Sequence, residues 1–195
     1  VTPLASLTTP RLVLRASDPA LAEAAADFYR RNRAAHAVWN PPLDEATLSV
    51  TGQRQQLAET AGAAVAGTRI GWWLFAPNEP AVAIGQVHFS QIVLRAFCSA
   101  MLGYAIDTAH EGRGLMTEAL QAALADAFGP RVRLHRVQAN VRPENARSLA
   151  LLERLGFERE GLAREYLFID GAWRDHVMTA RRNPDWPPGT PPPPG

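Results

Sequence analysis

The chain has 195 residues, 47% hydrophobic and 20% charged, with a formal net charge of +1. That length suits one domain with a sizeable core, and near neutrality removes the broad electrostatic case for nucleic-acid binding. The single cysteine, Cys98, excludes an internal disulfide and a cysteine-based metal site. No apolar run approaches membrane length and no signal-peptide pattern is present, so a soluble, cytoplasmic protein is expected. Histidines 36, 88, 110, 135 and 176 are scattered without ligand spacing, and no metal is expected.

Residues 1–10 read as an arm, and the alternating run Arg11–Arg15 as a short strand. Asp18 and Pro19 suit the cap and first position of a helix reaching about Arg33. Trp39-Asn-Pro-Pro42 is a rigid turn. Asp44 caps a second helix running to about Ala64, with Gly52 weakening its middle. Strands follow at Ile70–Phe75 and Val82–Phe89, joined by Pro77-Asn-Glu-Pro80. A connection holding Arg95 leads to the central stretch Ser99–Phe128, in which an apolar strand enters a loop with Gly112-Arg113-Gly114 and a helix begins at once. Leu115, Met116, Ala119, Leu120, Ala123, Leu124 and Ala127 give that helix one apolar face. Gly129-Pro130 stops it. Val132–Val141 is a strand. Pro143-Glu144-Asn145 starts a helix that ends at Gly156, and Phe157 follows. Asp170-Gly171 joins strands Arg164–Ile169 and Ala172–Arg181 in a hairpin. The division expected is one domain over 1–186 and a Pro-rich tail over 187–195, its last few residues mobile. The order of elements gives an α+β or mixed α/β architecture.

The central stretch joins strand, glycine loop and helix N-terminus, which together suit an anion. A P-loop needs a Gly-Lys-Ser/Thr run that is missing here. The dinucleotide fingerprint needs a third Gly or Ala where Thr117 stands. An acyl-coenzyme A loop and a helix entry without a ligand both stay open on these residues alone.

Four further stretches carry a resemblance. They are Glu111-Gly-Arg-Gly-Leu-Met116, Asn145-Ala-Arg-Ser148 with Leu151-Leu-Glu-Arg-Leu-Gly-Phe157, the hairpin Tyr166–Ala180 with Pro184-Asp185-Trp186, and Leu7-Thr-Thr-Pro-Arg-Leu12. Phe89-Ser90 and Leu102-Gly-Tyr104 belong to the same pattern. Together, over nearly the whole chain, they resemble the GNAT N-acetyltransferases, in particular the branch that acetylates ribosomal protein N-termini. Glu111 and Met116 depart from the Q/R-x-x-G-x-G/A loop of that family. The resemblance implies the GNAT fold, a twisted mixed sheet whose central strands splay to admit acetyl-coenzyme A as cosubstrate.

It also implies roles. Backbone N–H groups of Gly112, Arg113, Gly114, Leu115, Met116 and Thr117 would take the pyrophosphate, with the Arg113 side chain adding charge to a phosphate or standing solvated. Backbone at Tyr104, Ala105 and Ile106 would hold the pantetheine arm and the oxyanion, and Asn145 the pantetheine arm. Trp39 would lie near the acceptor groove. The family's usual tyrosine acid falls on Leu152, and Ser148, on the same helix face, is the suggested donor to the leaving thiolate. The position of a proposed base falls on Leu167. Glu165, on the same face if the strand is regular, is a substitute, though it reads better as a solvent-facing strand residue. His176 could serve as a base from its ordinary pKa but reads better as a packed or surface histidine, and His110 and Glu111 sit poorly for amine deprotonation. Trp72, Trp73 and Phe89 read as sheet core, and Arg131, Arg133, His135 and Arg136 as a solvated strand end.

A weak base suits an α-amine, with a pKa of roughly 7.7–8.0, better than a lysine at roughly 10.4. The expected reaction is acetyl transfer to a protein N-terminal α-amine, the partner being a ribosomal protein. A GNAT enzyme for a small amine, amino acid or antibiotic is the alternative within the class. An acyl-coenzyme A-binding or ribosome-assembly module without turnover is the alternative outside it.

Overall fold

A computed structural model of the chain describes residues 4–192. Strands β1 (Leu7–Thr8) and β2 (Val13–Ala16) precede helices α1 (Ala22–Ala37), α2 (Glu45–Leu48) and α3 (Val50–Val65). Then come β3 (Ile70–Ala76), β4 (Glu79–Val93), β5 (Ser99–Ile106), α4 (Leu115–Phe128), β6 (Arg136–Val141), α5 (Ala146–Arg154), β7 (Glu158–Ile169) and β8 (Ala172–Arg182). All strands lie in one eight-stranded sheet, ordered β1-β2-β3-β4-β5-β6-β8-β7. The pairings are antiparallel except for β5 with β6. This is the α+β architecture expected. The first three residues of the arm and the last three of the tail lie outside the described residues.

Local chemistry explains the helix ends. The Asp18 carboxylate accepts from the Ala20 N–H at 2.7 Å and opens a short 3₁₀ turn that runs into α1. The helix expected over Asp44–Ala64 is instead two, because Ser49 has an extended backbone. Asp44 caps α2 through the Thr47 N–H at 2.7 Å, and the Ser49 hydroxyl caps α3 through the Gly52 N–H at 3.0 Å. Gly52 is therefore no weak point. A Cβ there would stand 2.1 Å from the Ala46 carbonyl oxygen, so glycine lets α2 fold back on α3. At the end of α5, Gly156 takes φ +78°, and the Gly156 and Phe157 N–H groups bond the carbonyls of Glu153 and Leu152. This is the left-handed helix stop expected of that pair.

Several strands differ from expectation: β2 is shifted to Val13–Ala16, and β4 runs past both expected ends, over Glu79–Val93. The arm contains β1, which pairs Leu7 with Leu14. Strand β6 starts at Arg136 rather than Val132, since Arg133 has φ +56° and cannot continue an extended run. Strand β7 begins at Glu158, six residues before the run read from sequence, because its solvated Glu and Arg residues carry no apolar alternation.

The sheet is covered on both faces. Ile70, Trp72 and Leu74 of β3 pack with Phe89, Leu120, Leu124 and Leu152 in one core. Trp73 and Phe75 turn the other way, onto Phe28 of α1 and Leu57 of α3. A strand buried on both faces reads as a continuous apolar run, as β3 does.

One seam in this sheet is incomplete. The parallel strands β5 and β6 pair only from Ser99–Met101 to Arg136–Gln138. Beyond that, β5 stays on β4 to Ile106 and β6 stays on β8 to Val141, so the two diverge.

Candidate active site

The divergence opens a cavity of about 1130 Å³. Its walls are β5, the loop before α4, the end of β6, the first turns of α5 and the end of α1. Of the residues singled out from sequence, Trp39, Tyr104, Ala105, Ile106, Gly112, Gly114, Leu115, Met116, Thr117, Asn145 and Ser148 line it. Arg113 and Glu165 are outside that lining. Arg113 is exposed, and its carbonyl accepts from Arg11 Nη1 at 2.9 Å.

Glu165 is exposed on β7. Ala163 pairs with His176 but Leu167 pairs with Arg174, so Arg164, Glu165 and Tyr166 bulge opposite one residue. Glu165 has φ +46°, and its N–H donates to Asp175 Oδ1 at 2.9 Å. The regular alternation that would set Glu165 on the face of Leu167 does not hold here.

The seam exposes backbone donors. The Asp107 N–H donates to the Ile84 carbonyl on β4 at 2.8 Å. Strand alternation then turns the Ala105 N–H toward β4 as well, and the Tyr104 and Ile106 N–H groups toward the gap. Two of the three backbone groups singled out from sequence thus face the gap.

The loop before α4 forms a cradle on two left-handed glycines, Gly112 at φ +72° and Gly114 at φ +73°, of the shape an anion needs. Gly114 caps α4 without a side-chain bond, so the first-turn N–H groups of α4 point outward with the helix dipole behind them. The apolar face read from sequence buries Met116, Ala119, Leu120, Ala123, Leu124 and Ala127 and anchors that helix.

A brace from the N-terminal segment holds the cradle. Thr9 Oγ1 donates to Glu118 Oε1 at 2.6 Å, the Arg11 N–H to the same oxygen at 2.9 Å, and Arg11 Nε to Oε2 at 2.6 Å. Burial alone would raise the Glu118 pKa; the bonds from Thr9 and Arg11 outweigh it and lower the pKa. Glu118 was not singled out from sequence. The Leu7–Leu12 segment was, and this is what it does. Across the cavity mouth, Glu111 pairs with Arg147, which offsets the acidic residue at the consensus Q/R position.

Two lining residues, Tyr104 and Ser148, bring their hydroxyls together. Burial pushes the Tyr104 phenol up to about 12, and the Ser148 hydroxyl beside it acts in the other direction. The phenol oxygen is buried and makes no full hydrogen bond among the described residues. Sequence reasoning used only the backbone of Tyr104 and missed its side chain. Asn145 caps α5, its Oδ1 accepting from the Ser148 N–H at 3.1 Å, which leaves its amide NH₂ for other partners. Leu152, at the family's acid position, is 1% exposed in the core.

The far end of the cavity is ringed by His36, Trp39, Asn140, Arg142 and His176. His36 Nε2 donates to the Ile106 carbonyl at 3.0 Å. The Arg142 guanidinium lies 5.5 Å over the Trp39 ring and donates to the Val38 carbonyl. Below them Asp107 is 5% exposed. Burial would raise its pKa, but bonds from the Ala109 N–H, Asn32 and Arg31 bring it down. Among the described residues no three His, Cys, Asp or Glu side chains gather as a metal site, and no helix is long and apolar enough to cross a membrane.

Comparison with known proteins gives this geometry a family. The model of the acetyltransferase (GNAT) domain matches residues 11–158. The chain belongs to the GNAT acetyltransferase family. As a GNAT protein it is an N-acetyltransferase that takes its acetyl group from acetyl-coenzyme A. It is 43% identical over 188 residues to the [ribosomal protein uS5]-alanine N-acetyltransferase of Escherichia coli, covering 96% of this chain and 95% of the relative. The solved ribosomal-protein-S5-alanine acetyltransferase of Vibrio fischeri superposes with a TM-score of 0.89 at 30% identity, covering 95% of this chain and all of that one. Mycobacterium smegmatis RimJ, solved in complex with CoA-disulfide, superposes with a TM-score of 0.82 at 30% identity, over 90% of this chain and 84% of that one. The GNAT fold expected from the four sequence stretches is the fold found.

Proposed function

We propose that this GNAT enzyme acetylates the α-amine of an alanine-terminated ribosomal protein of the S5 type, in the cytoplasm. The observation that carries this reading is the match to the uS5-alanine N-acetyltransferase over nearly the full length of both chains. The cavity is consistent with it, since Trp39 and Arg142 line it together with the cradle.

In this reading the pyrophosphate of acetyl-coenzyme A lies on the cradle Gly112–Thr117, held by the free N–H groups of the first turn of α4. The pantetheine arm follows β5, with the Asn145 amide donating to it. The acetyl carbonyl faces the Tyr104 and Ile106 N–H groups, which stabilise the oxyanion as the amine attacks. Ser148 donates a hydrogen bond to the leaving thiolate. The Tyr104 phenol stays protonated across the working pH range and adds a second donor beside Ser148. Arg113 stabilises the phosphates only through the general field of the loop, since its side chain is outside the cavity lining.

The test mixes the full chain with acetyl-coenzyme A and a panel of acceptors: peptides beginning with Ala or Ser, a lysine peptide with a blocked N-terminus, and a polyamine. Thiol release and product mass are followed. Turnover on the Ala-terminated peptide is expected. Turnover confined to polyamines or blocked lysine peptides overturns the reading.

A further inference from the structure

Taking up an α-ammonium requires a base, and Glu165 is turned away from the cavity. His176 is not. It is 3% exposed, and it lines the cavity. Its Nδ1 lies 3.0 Å from the Arg174 carbonyl. A carbonyl only accepts, so Nδ1 carries a proton, and in the neutral ring Nε2 then keeps a lone pair. The bonds of His176 among the described residues use Nδ1 alone.

A second acceptor stands on the same wall. Asn140 also lines the cavity. Its Nδ2 donates to the Tyr166 hydroxyl at 3.1 Å, and the Tyr166 ring packs 5.3 Å from the His176 ring. With the amide in that orientation, Asn140 Oδ1 is buried without a hydrogen-bond partner among the described residues. An orphaned buried acceptor is costly unless something donates to it. An ammonium brings three donors. The cavity is thus polarised across its width, with N–H donors on the β5 wall, where an oxyanion needs them, and lone pairs on the β6–β8 wall, where an ammonium needs them.

We propose that His176 Nε2 is the general base for the acceptor amine and that Asn140 Oδ1 orients that amine by accepting one of its N–H groups. This rests on the amine-acetylating reading given above. In the step, an N–H bond of the ammonium breaks and its proton passes to Nε2, directly or through one water. The freed lone pair bonds the acetyl carbon, and the carbonyl electrons move onto oxygen. They return as the C–S bond breaks. The second amine proton leaves with that collapse and reaches the thiolate by way of Ser148 or water. Nε2 then gives its proton to solvent. Tyr166 from β7 packs on His176, and Arg174 and Asp175 neighbour it on its own strand; Arg142 and Glu144 after β6, His36 from α1 and Tyr104 from β5 line the same cavity.

The test uses His176→Asn, whose side-chain amide can keep the bond to the Arg174 carbonyl while removing Nε2. Wild-type turnover on the Ala-terminated peptide is established first; its absence overturns the acceptor reading, and the comparison moves to whichever amine is acetylated. For the variant, kcat at neutral pH should fall about 100-fold or more with coenzyme A affinity unchanged. Its kcat/KM should climb with pH up to the amine pKa, roughly 7.7–8.0, and added imidazole should restore part of the rate. A variant within about threefold of wild type at pH 7 overturns His176 as base. If the variant does not fold, nitrogen NMR of the wild-type histidine decides: an unprotonated Nε2 at neutral pH is required, and a protonated one overturns the assignment.

Discussion

The imidazole of His88 occupies the space in which a side chain on Gly103 would stand. The two residues are direct partners across β4 and β5, and a Cβ on Gly103 would lie 2.4 Å from His88 Nε2. Gly103 also lines the cavity, so the clash would be delivered to the cavity wall that β5 forms. Gly103→Ala is expected to cost about 1–3 kcal/mol by overpacking. Removing the ring as well should return part of that cost. A double-mutant cycle of Gly103→Ala and His88→Ala, read by denaturant unfolding, should show a favourable coupling. Strict additivity would mean the ring moves aside freely.

His88 also ties stability to pH. Burial first, and the nearby Arg69 charge second, lower its pKa from 6.5 to about 4. Between those values the unfolded chain binds a proton that the folded chain refuses. Stability therefore rises with pH through this window and is lost as pH falls from about 6.5 to about 4, by about 3 kcal/mol in all. His88→Gln removes the titration. Urea midpoints at pH 7, 5.5 and 4.5 should fall more steeply for wild type than for the variant. Parallel slopes would sink the assignment.

Gly114 combines a left-handed backbone with the cap of α4. Its Cβ position has room, the nearest atom being Arg11 Nη2 at 3.6 Å, so the constraint is conformational and not steric. Gly114→Val should cost about 1–2 kcal/mol in stability, and should weaken coenzyme A binding at least tenfold by redirecting the first-turn N–H groups. Calorimetric titration with coenzyme A beside a thermal melt separates the two effects. Unchanged affinity would remove the cradle from cofactor binding.

Ser148→Ala tests the leaving-group donor. The Asn145 cap uses the Ser148 backbone, so the helix start is kept when the hydroxyl is lost. We expect kcat to drop about tenfold or more while coenzyme A affinity holds, the pattern of an interaction made in the transition state alone. Full activity in the variant would leave the Tyr104 phenol as the donor.

Much of the cradle was legible because its determinants are local. The glycines of the loop, the 3–4 spacing of α4, the Gly156-Phe157 stop and the Asp170-Gly171 turn each act over a few residues. Glycine at φ +72° follows Asp170 at φ +50°, the two left-handed positions of a type I′ hairpin. The seam was not legible from pattern. Nothing in Ser99–Ile106 or Arg136–Val141 states that pairing stops after Met101 and Gln138; the resemblance supplied it. The bulge at Arg164–Tyr166 was hidden for a similar reason. Strand β7 is the outer edge of the sheet, so its alternation is not enforced by burial, and Glu165 could not be placed by counting. His176 was read as packing because a tautomer depends on a partner, here a carbonyl two residues back.

The brace on the cradle has a consequence for the order in which the molecule assembles. Thr9 and Glu118 are 109 residues apart, yet both must be in place before the loop between β5 and α4 is held. Closing so long a span carries an entropic cost that only a largely assembled sheet can offset. During synthesis the N-terminal segment emerges early and waits for α4. Bracing of this loop is therefore a late event in folding, reached only after Thr9 and Glu118 have met.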